Sequence, residues 1–160
     1  MRVLVIEDLQ LKIDELTKYL ENDLQVDSIT VRKSYNSGLD EVLFRSAEYD
    51  LIILDMSMQN YDISQNEPGG DPINLAGLNI LDQMYFREIP NKVIVFTMYG
   101  NFEEVGVSLF DLHEQLSKDF SENYLGNVFF NGSDDTWKDE MNKIIFNNNI
   151  LKNNDQDLNS

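Results

Sequence analysis

The sequence predicts an α/β fold in which helices cover both faces of a parallel sheet. The first observation is that short runs of apolar, mostly β-branched residues occur at 3–6, 51–54 and 93–96. Such runs are typical of strands that are buried on both faces. The second observation is that segments with helical spacing of apolar residues alternate with the strands. Five β–α units in this order predict a doubly wound, five-stranded parallel sheet.

The first two helices fit this alternation. Apolar residues recur at the spacing of one helix face after the first strand, at Leu9, Ile13, Leu16 and Leu20. Residues 29–31 predict the second strand. Ser37 is a candidate N-cap for a second helix that precedes the strand at 51–54.

The remaining units follow in the same way. A third helix is predicted to end before Pro90, because proline disfavours helical backbone in the residue before it. Asn101 and Glu104 resemble a capping box, and we expect a long fourth helix to begin there and run to Phe120. The fifth strand is predicted at 128–130, and the last helix at 136–147.

Length and composition limit the function. The 160 residues suit one domain, which we place at residues 1–148, with a polar and disordered tail at 149–160. A net charge of −17 argues against direct binding of nucleic acid, since it would repel a phosphate backbone. We find neither a leader sequence nor an apolar run of about 20 residues, so we expect a cytoplasmic protein without a membrane segment. The chain has no cysteine, which excludes disulfides and thiolate metal sites.

Polar residues follow three of the predicted strands directly. Glu7 and Asp8 follow the first strand, Asp55 the third and Thr97 the fourth. Parallel strands present their carboxyl ends at one edge of a sheet, and ligands bind at that edge. Three carboxylates with a hydroxyl offer hard oxygen ligands, which suit Mg²⁺ and phosphate. The sequence therefore predicts a cation site at this edge.

In these residues and their order, the chain resembles a response regulator receiver domain over nearly all of residues 1–148. The resemblance implies a flavodoxin-like sheet with strand order 2-1-3-4-5. It also implies that Asp55 is the phosphoacceptor, that Thr97 hydrogen-bonds the phosphoryl group, and that Glu7, Asp8, Asp55 and the backbone carbonyl of Ser57 hold Mg²⁺ or Mn²⁺. The Gly-Leu pair at residues 77–78 matches the usual start of the third helix.

The same resemblance implies a place in two-component signalling. The partners would be a sensor kinase or phosphotransfer protein and a downstream protein effector, with no enzymatic activity of the chain's own. We expect a stand-alone receiver, because no effector domain accompanies it in these 160 residues. The fourth and last helices suggest a contact surface, with the long polar loop at 58–74 as a lid or second contact. Helical periodicity alone equally allows the apolar face of the fourth helix to be core.

Three positions depart from the family pattern. Receivers usually carry a lysine after the fifth strand, where this chain has Asn131 followed by Gly132, and the next lysine, Lys138, falls inside the last helix. Met98 stands where the family has a small residue, and Val128 where it has an aromatic one. Without that lysine we expect the site to lack a cationic side chain. The alternative function is therefore a pseudo-receiver adaptor that binds a partner without phosphorylation, although Asn-Gly is also ordinary turn chemistry.

Overall fold

Helices and strands alternate along the chain in a computed structural model that describes residues 1–59, 72–73, 75–98 and 108–151. The strands within these ranges are β1 (Arg2–Ile6), β2 (Ser28–Arg32), β3 (Leu51–Leu54), β4 (Met58–Gln59), β5 (Pro72–Ile73), β6 (Lys92–Thr97) and β7 (Tyr124–Phe129). The helices are α1 (Gln10–Asn22), α2 (Tyr35–Arg45), α3 (Ala76–Phe86), α4 (Leu109–Asp119) and α5 (Thr136–Asn147), with a 3-10 turn at Ser46–Glu48.

Five of the strands form one parallel sheet in the order β2-β1-β3-β6-β7. Counted within this sheet alone, the order is 2-1-3-4-5, and the predicted fold class is confirmed. The three central strands are buried on both faces, because their apolar runs leave no polar side for solvent. The last strand begins at Tyr124, four residues before the predicted start.

Alternate residues of the central strands point into two separate cores. Leu4 and Ile6 belong to the core beneath α2, α3 and α4, whereas Val3 and Val5 belong to the core beneath α1 and α5. This division follows from the period of two along a strand. Trp137 fills the centre of the second core, where its ring lies 5.1 Å from that of Tyr19 and 5.2 Å from that of Phe96.

One predicted helix start is wrong, and one predicted helix is not continuous. The side chain of Ser34, and not of Ser37, caps α2, accepting a hydrogen bond from the backbone N–H of Ser37. Helix α4 begins at Leu109, because Ser108 has extended backbone and caps it through the N–H of Asp111. A continuous helix reaching Phe120 from the predicted capping box is therefore excluded, and the capping-box residues themselves lie outside the described residues.

The apolar face of α4 belongs to the core. Leu112, Leu116 and Phe120 are 1%, 0% and 4% exposed, and all three pack in the cluster beneath α3 and α4. These residues are covered by the sheet and the neighbouring helix. The interpretation of this face as core is thus correct for these three residues, and they offer no docking strip.

Two further segments extend the receiver-like unit. The polar stretch at 58–74 begins and ends in a short antiparallel pair, in which Met58 lies opposite Ile73. Ile150 and Leu151 follow the predicted domain boundary and pack, half-buried, against the second core.

None of the helices in the described ranges has the length and apolar character needed to cross a bilayer.

Candidate functional site

The parallel register brings the acidic residues together at one edge of the sheet. Ile6 is paired with Leu54, and the backbone N–H of Asp55 donates to the carbonyl of Ile6 at 3.0 Å. One carboxylate oxygen from each of Glu7, Asp8 and Asp55 lies within 4.8 Å of the others. The structure therefore assembles the three predicted carboxylates into one cluster. Its oxygen donors fit a hard divalent cation such as Mg²⁺.

Backbone hydrogen bonds fix the direction of the two buried carboxylates. Glu7 Oε1 accepts hydrogen bonds from the N–H groups of Asp8 and Leu9, both at 3.1 Å. Asp55 Oδ1 accepts from the N–H of Met56 at 2.8 Å. One oxygen of each side chain is thus held by the chain, and the second oxygen is turned to other groups in the cluster.

Gly77 allows α3 to pack directly against the strand end that carries Asp55. Its N–H donates to the carbonyl of Met56 at 3.0 Å. A Cβ atom at this position would lie 2.5 Å from the backbone oxygen of Asp55, which is closer than atoms can approach. The predicted Gly-Leu pair therefore has a steric cause here, since any larger residue would displace α3 or Asp55.

Lys12 supplies a cation that we did not predict. Its side chain extends from α1 and is 1% exposed, its ammonium pairs with Glu7, and it lies 3.4 Å from Asp55 Oδ2. It also donates to the carbonyl of Phe96 at 3.0 Å. The prediction that the site lacks a cationic side chain is wrong. The spacing to Leu16 and Leu20 places Lys12 on the buried face of α1, and this was the signal available in the sequence.

Burial and mutual repulsion set the protonation of the carboxylates. Burial, with a further contribution from the Asp55 carboxylate, raises the pKa of Glu7 to about 8, although Lys12 acts in the opposite direction. Burial likewise raises the pKa of Asp55. One ammonium does not compensate three carboxylates, two of which are buried. A divalent cation would favour the ionised forms of Glu7 and Asp55.

Thr97 and Ser57 lie near the carboxyl ends of their strands, as predicted. Thr97 is the last residue of β6 and is fully buried, and its hydroxyl has no hydrogen-bond partner among the described residues. A buried hydroxyl without a partner is energetically unfavourable unless a ligand or water serves it. Ser57 lies two residues beyond Asp55 and is half-buried. The metal role of its carbonyl and the phosphoryl role of Thr97 stay predictions.

The side chain of Asn131 forms hydrogen bonds within the turn after β7. Its side-chain oxygen accepts from the N–H groups of Ser133 at 2.9 Å and Asp134 at 3.3 Å, and Gly132 has a φ of 79°. This supports the turn interpretation of the Asn-Gly pair. Val128 is fully buried and Met98 half-buried, and both pack in the second core. Buried packing accounts for the two apolar departures from the family pattern.

Comparisons with known proteins agree with this fold. No protein-family model matches the chain. The chain is 27% identical over 150 residues to the Detocs response regulatory protein DtcB of Enterobacter cloacae, covering 91% of this chain and 98% of that protein. It is also 27% identical over 143 residues to the uncharacterized protein y4jR of Sinorhizobium fredii, covering 86% and 92%.

Solved structures of receiver domains are similar over almost the whole chain. A receiver domain protein from Clostridium thermocellum has a TM-score of 0.58 at 18% identity and covers 97% of both chains. The response regulator TrrA from Thermotoga maritima, solved in complex with Mg²⁺ and BeF, has a TM-score of 0.52 at 20% identity, covering 89% of this chain and 97% of TrrA. The chain thus has the fold of a response regulator receiver domain, and the resemblance predicted from its sequence is confirmed.

Proposed function

We propose that this chain is a signalling receiver that is phosphorylated on Asp55 in the presence of Mg²⁺ or Mn²⁺ and acts through contact with another protein. The observation that carries the proposal is the convergence of Glu7, Asp8 and Asp55 at the carboxyl edge of a receiver-type sheet. The match to a response regulatory protein over 91% of the chain supports the same class.

The chemistry is a transfer of a phosphoryl group to a carboxylate. A carboxylate oxygen of Asp55 forms a bond to phosphorus while the bond between phosphorus and the donor breaks, and the donor's leaving atom keeps the bonding electrons. The bound divalent cation would offset the repulsion between the two anions. Glu7 and Asp8 would hold the cation together with Asp55, and the Thr97 hydroxyl, which lacks a partner in the described residues, would donate to a phosphoryl oxygen.

The same proposal includes the surroundings of the protein. A sensor kinase or phosphotransfer protein would supply the phosphoryl group, and a downstream protein effector would receive the signal, with no catalytic turnover by the chain itself. The net charge of −17 favours protein partners over nucleic acid. A cytoplasmic location, where such phosphotransfer takes place, belongs to the proposal.

Mass spectrometry tests the phosphorylation directly. The protein is incubated with Mg²⁺ and acetyl phosphate as a small phosphodonor, and we expect a mass increase of one phosphoryl group that Asp55→Asn abolishes. Asp50→Asn is a matched control, because Asp50 lies at the opposite end of the same strand and is exposed. Absence of incorporation in the wild-type protein would reject phosphorylation from small donors.

Thermal unfolding tests the cation site. A ligand that binds only the folded state stabilises it by roughly 2.7 kcal/mol at a hundredfold excess over its dissociation constant. We therefore expect millimolar Mg²⁺ to raise the melting temperature by several degrees, and Asp8→Asn to remove most of the gain. Asp14→Asn removes an exposed carboxylate from α1 and serves as the control. Equal Mg²⁺ responses in Asp8→Asn and wild type would exclude this site.

A pseudo-receiver adaptor is the second candidate function. The observation that favours it is that Asn131 is used in a turn and that Lys12 already pairs with two of the three carboxylates. Such a protein would bind its partner equally well with Asp55 or Asn at residue 55. A partner interaction that survives Asp55→Asn, in a protein that takes up no phosphate, would select this function.

A further inference from the structure

Lys12 is the one buried lysine among the described residues. Two contacts anchor its ammonium group, the ion pair with Glu7 and the hydrogen bond to the carbonyl of Phe96. The same nitrogen lies 5.1 Å above the centre of the Phe96 ring. The ion pair, the hydrogen bond and the aromatic ring together restrict the movement of the ammonium group. Burial of a lysine is unfavourable unless its charge is compensated, as it is here. Lys12 is therefore a fixed component of the acidic cluster.

The position of this charge affects cations and anions in opposite ways. Lys12 Nζ lies 3.4 Å from Oδ2 of Asp55, the proposed phosphoacceptor, and forms an ion pair with it. Two like charges a few ångströms apart repel by several kcal/mol at the effective dielectric of a protein. The Lys12 ammonium would repel a divalent cation bound at the cluster in this way and so weaken its binding. A phosphoryl group on Asp55 would gain a charge-assisted hydrogen bond from the same ammonium.

We infer that the Lys12 ammonium weakens the binding of a divalent metal at this site and donates a hydrogen bond to a phosphoryl group carried by Asp55. The inference rests on the proposed function, since it assigns Lys12 to the phosphoacceptor site. It explains how the site has a cationic side chain although none follows the fifth strand of the sheet. The turn after β7 offers no cationic side chain at Asn131, yet the cluster contains an ammonium delivered from α1.

The test is calorimetric titration of Lys12→Met, which removes the charge and keeps an unbranched side chain. We expect Mg²⁺ to bind Lys12→Met about tenfold or more tightly than wild type, because a repelling charge is gone. We expect beryllofluoride, titrated at saturating Mg²⁺ as a phosphoryl probe, to bind about tenfold or more weakly. Lys18→Met is the control, since Lys18 is exposed on the same helix and its loss leaves both affinities unchanged.

Lys12→Gln guards against a folding defect, because its amide still offers a donor to the carbonyl of Phe96. Opposite shifts of the two affinities in both variants support the assignment, since a defect in packing alone would weaken both ligands together. Parallel weakening, or no change in either affinity, overturns it while the wild type still binds beryllofluoride. A wild type that fails to bind beryllofluoride with Mg²⁺ present overturns the proposed function itself, and the assignment of Lys12 with it.

Discussion

The metal-free protein should lose stability as the pH rises, and Glu7 is the main cause. Its pKa is about 8 in the folded chain, against an ordinary value of 4.5, because the side chain is buried beside Asp55. A group whose pKa is raised by folding contributes stability that is complete below the unfolded pKa and is lost as the pH passes the folded pKa. The expected loss therefore falls between about pH 5 and 8.

The size of the effect follows from the proton that Glu7 holds. One proton bound by the folded state and not by the unfolded state gives a slope of about 1.4 kcal/mol per pH unit. Between about pH 6 and pH 8 the free energy of unfolding should therefore fall by roughly 2 kcal/mol. Asp55 acts in the same direction, because burial raises its pKa as well.

Urea unfolding in EDTA at a series of pH values, followed by far-UV circular dichroism, measures this slope. Glu7→Gln should flatten it, because the amide does not titrate, whereas Glu21→Gln, an exposed change on α1, should leave it intact. A wild-type stability that rises over this range, or an unchanged slope in Glu7→Gln, would refute the assignment of the proton to Glu7.

Three further substitutions test the close approach of α3, the turn after β7 and the core beneath α4. Gly77→Ala should destabilise the protein by about 1–3 kcal/mol in urea unfolding, because its Cβ would overlap the backbone oxygen of Asp55; an unchanged midpoint would show that α3 has room to move. Asn131→Lys should cost about 1 kcal/mol by breaking the turn, without faster phosphorylation of Asp55, since the side chain belongs to the turn; a faster rate by mass spectrometry would contradict this. Leu116→Ala should lower the free energy of unfolding by about 2–5 kcal/mol, as expected for a fully buried leucine. A near-neutral result would show that the apolar face of α4 is not part of the core.

The sequence by itself determined the sheet and the edge where the site lies. The apolar runs at 3–6, 51–54 and 93–96 can only be accommodated with both faces buried, and the acids that follow them are then carried to one edge. The last helix was predicted with its observed bounds, 136–147, because its apolar spacing is regular and its ends are polar. These features depend on local pattern, which a sequence displays directly.

Helix starts were less accessible, because they depend on which of several nearby polar side chains reaches a free N–H. Ser34 and Ser37 are both good capping residues, and the backbone of Ser34 is the one left extended. Likewise, Ser108 ends a pattern that periodicity alone continues back toward Asn101. Capping is decided by a few dihedral angles, and the sequence offered more than one candidate.

Only the tertiary structure decided the charge of the site. Lys12 contacts the carbonyl of Phe96, 84 residues away in the chain, and pairs with Glu7 because α1 packs across the sheet with that side chain inward. A lysine in a helix usually extends into solvent, where its charge is hydrated. Its burial here is favourable because the carboxylates of Glu7 and Asp55 both pair with it, and these two side chains converge only after the strands have paired.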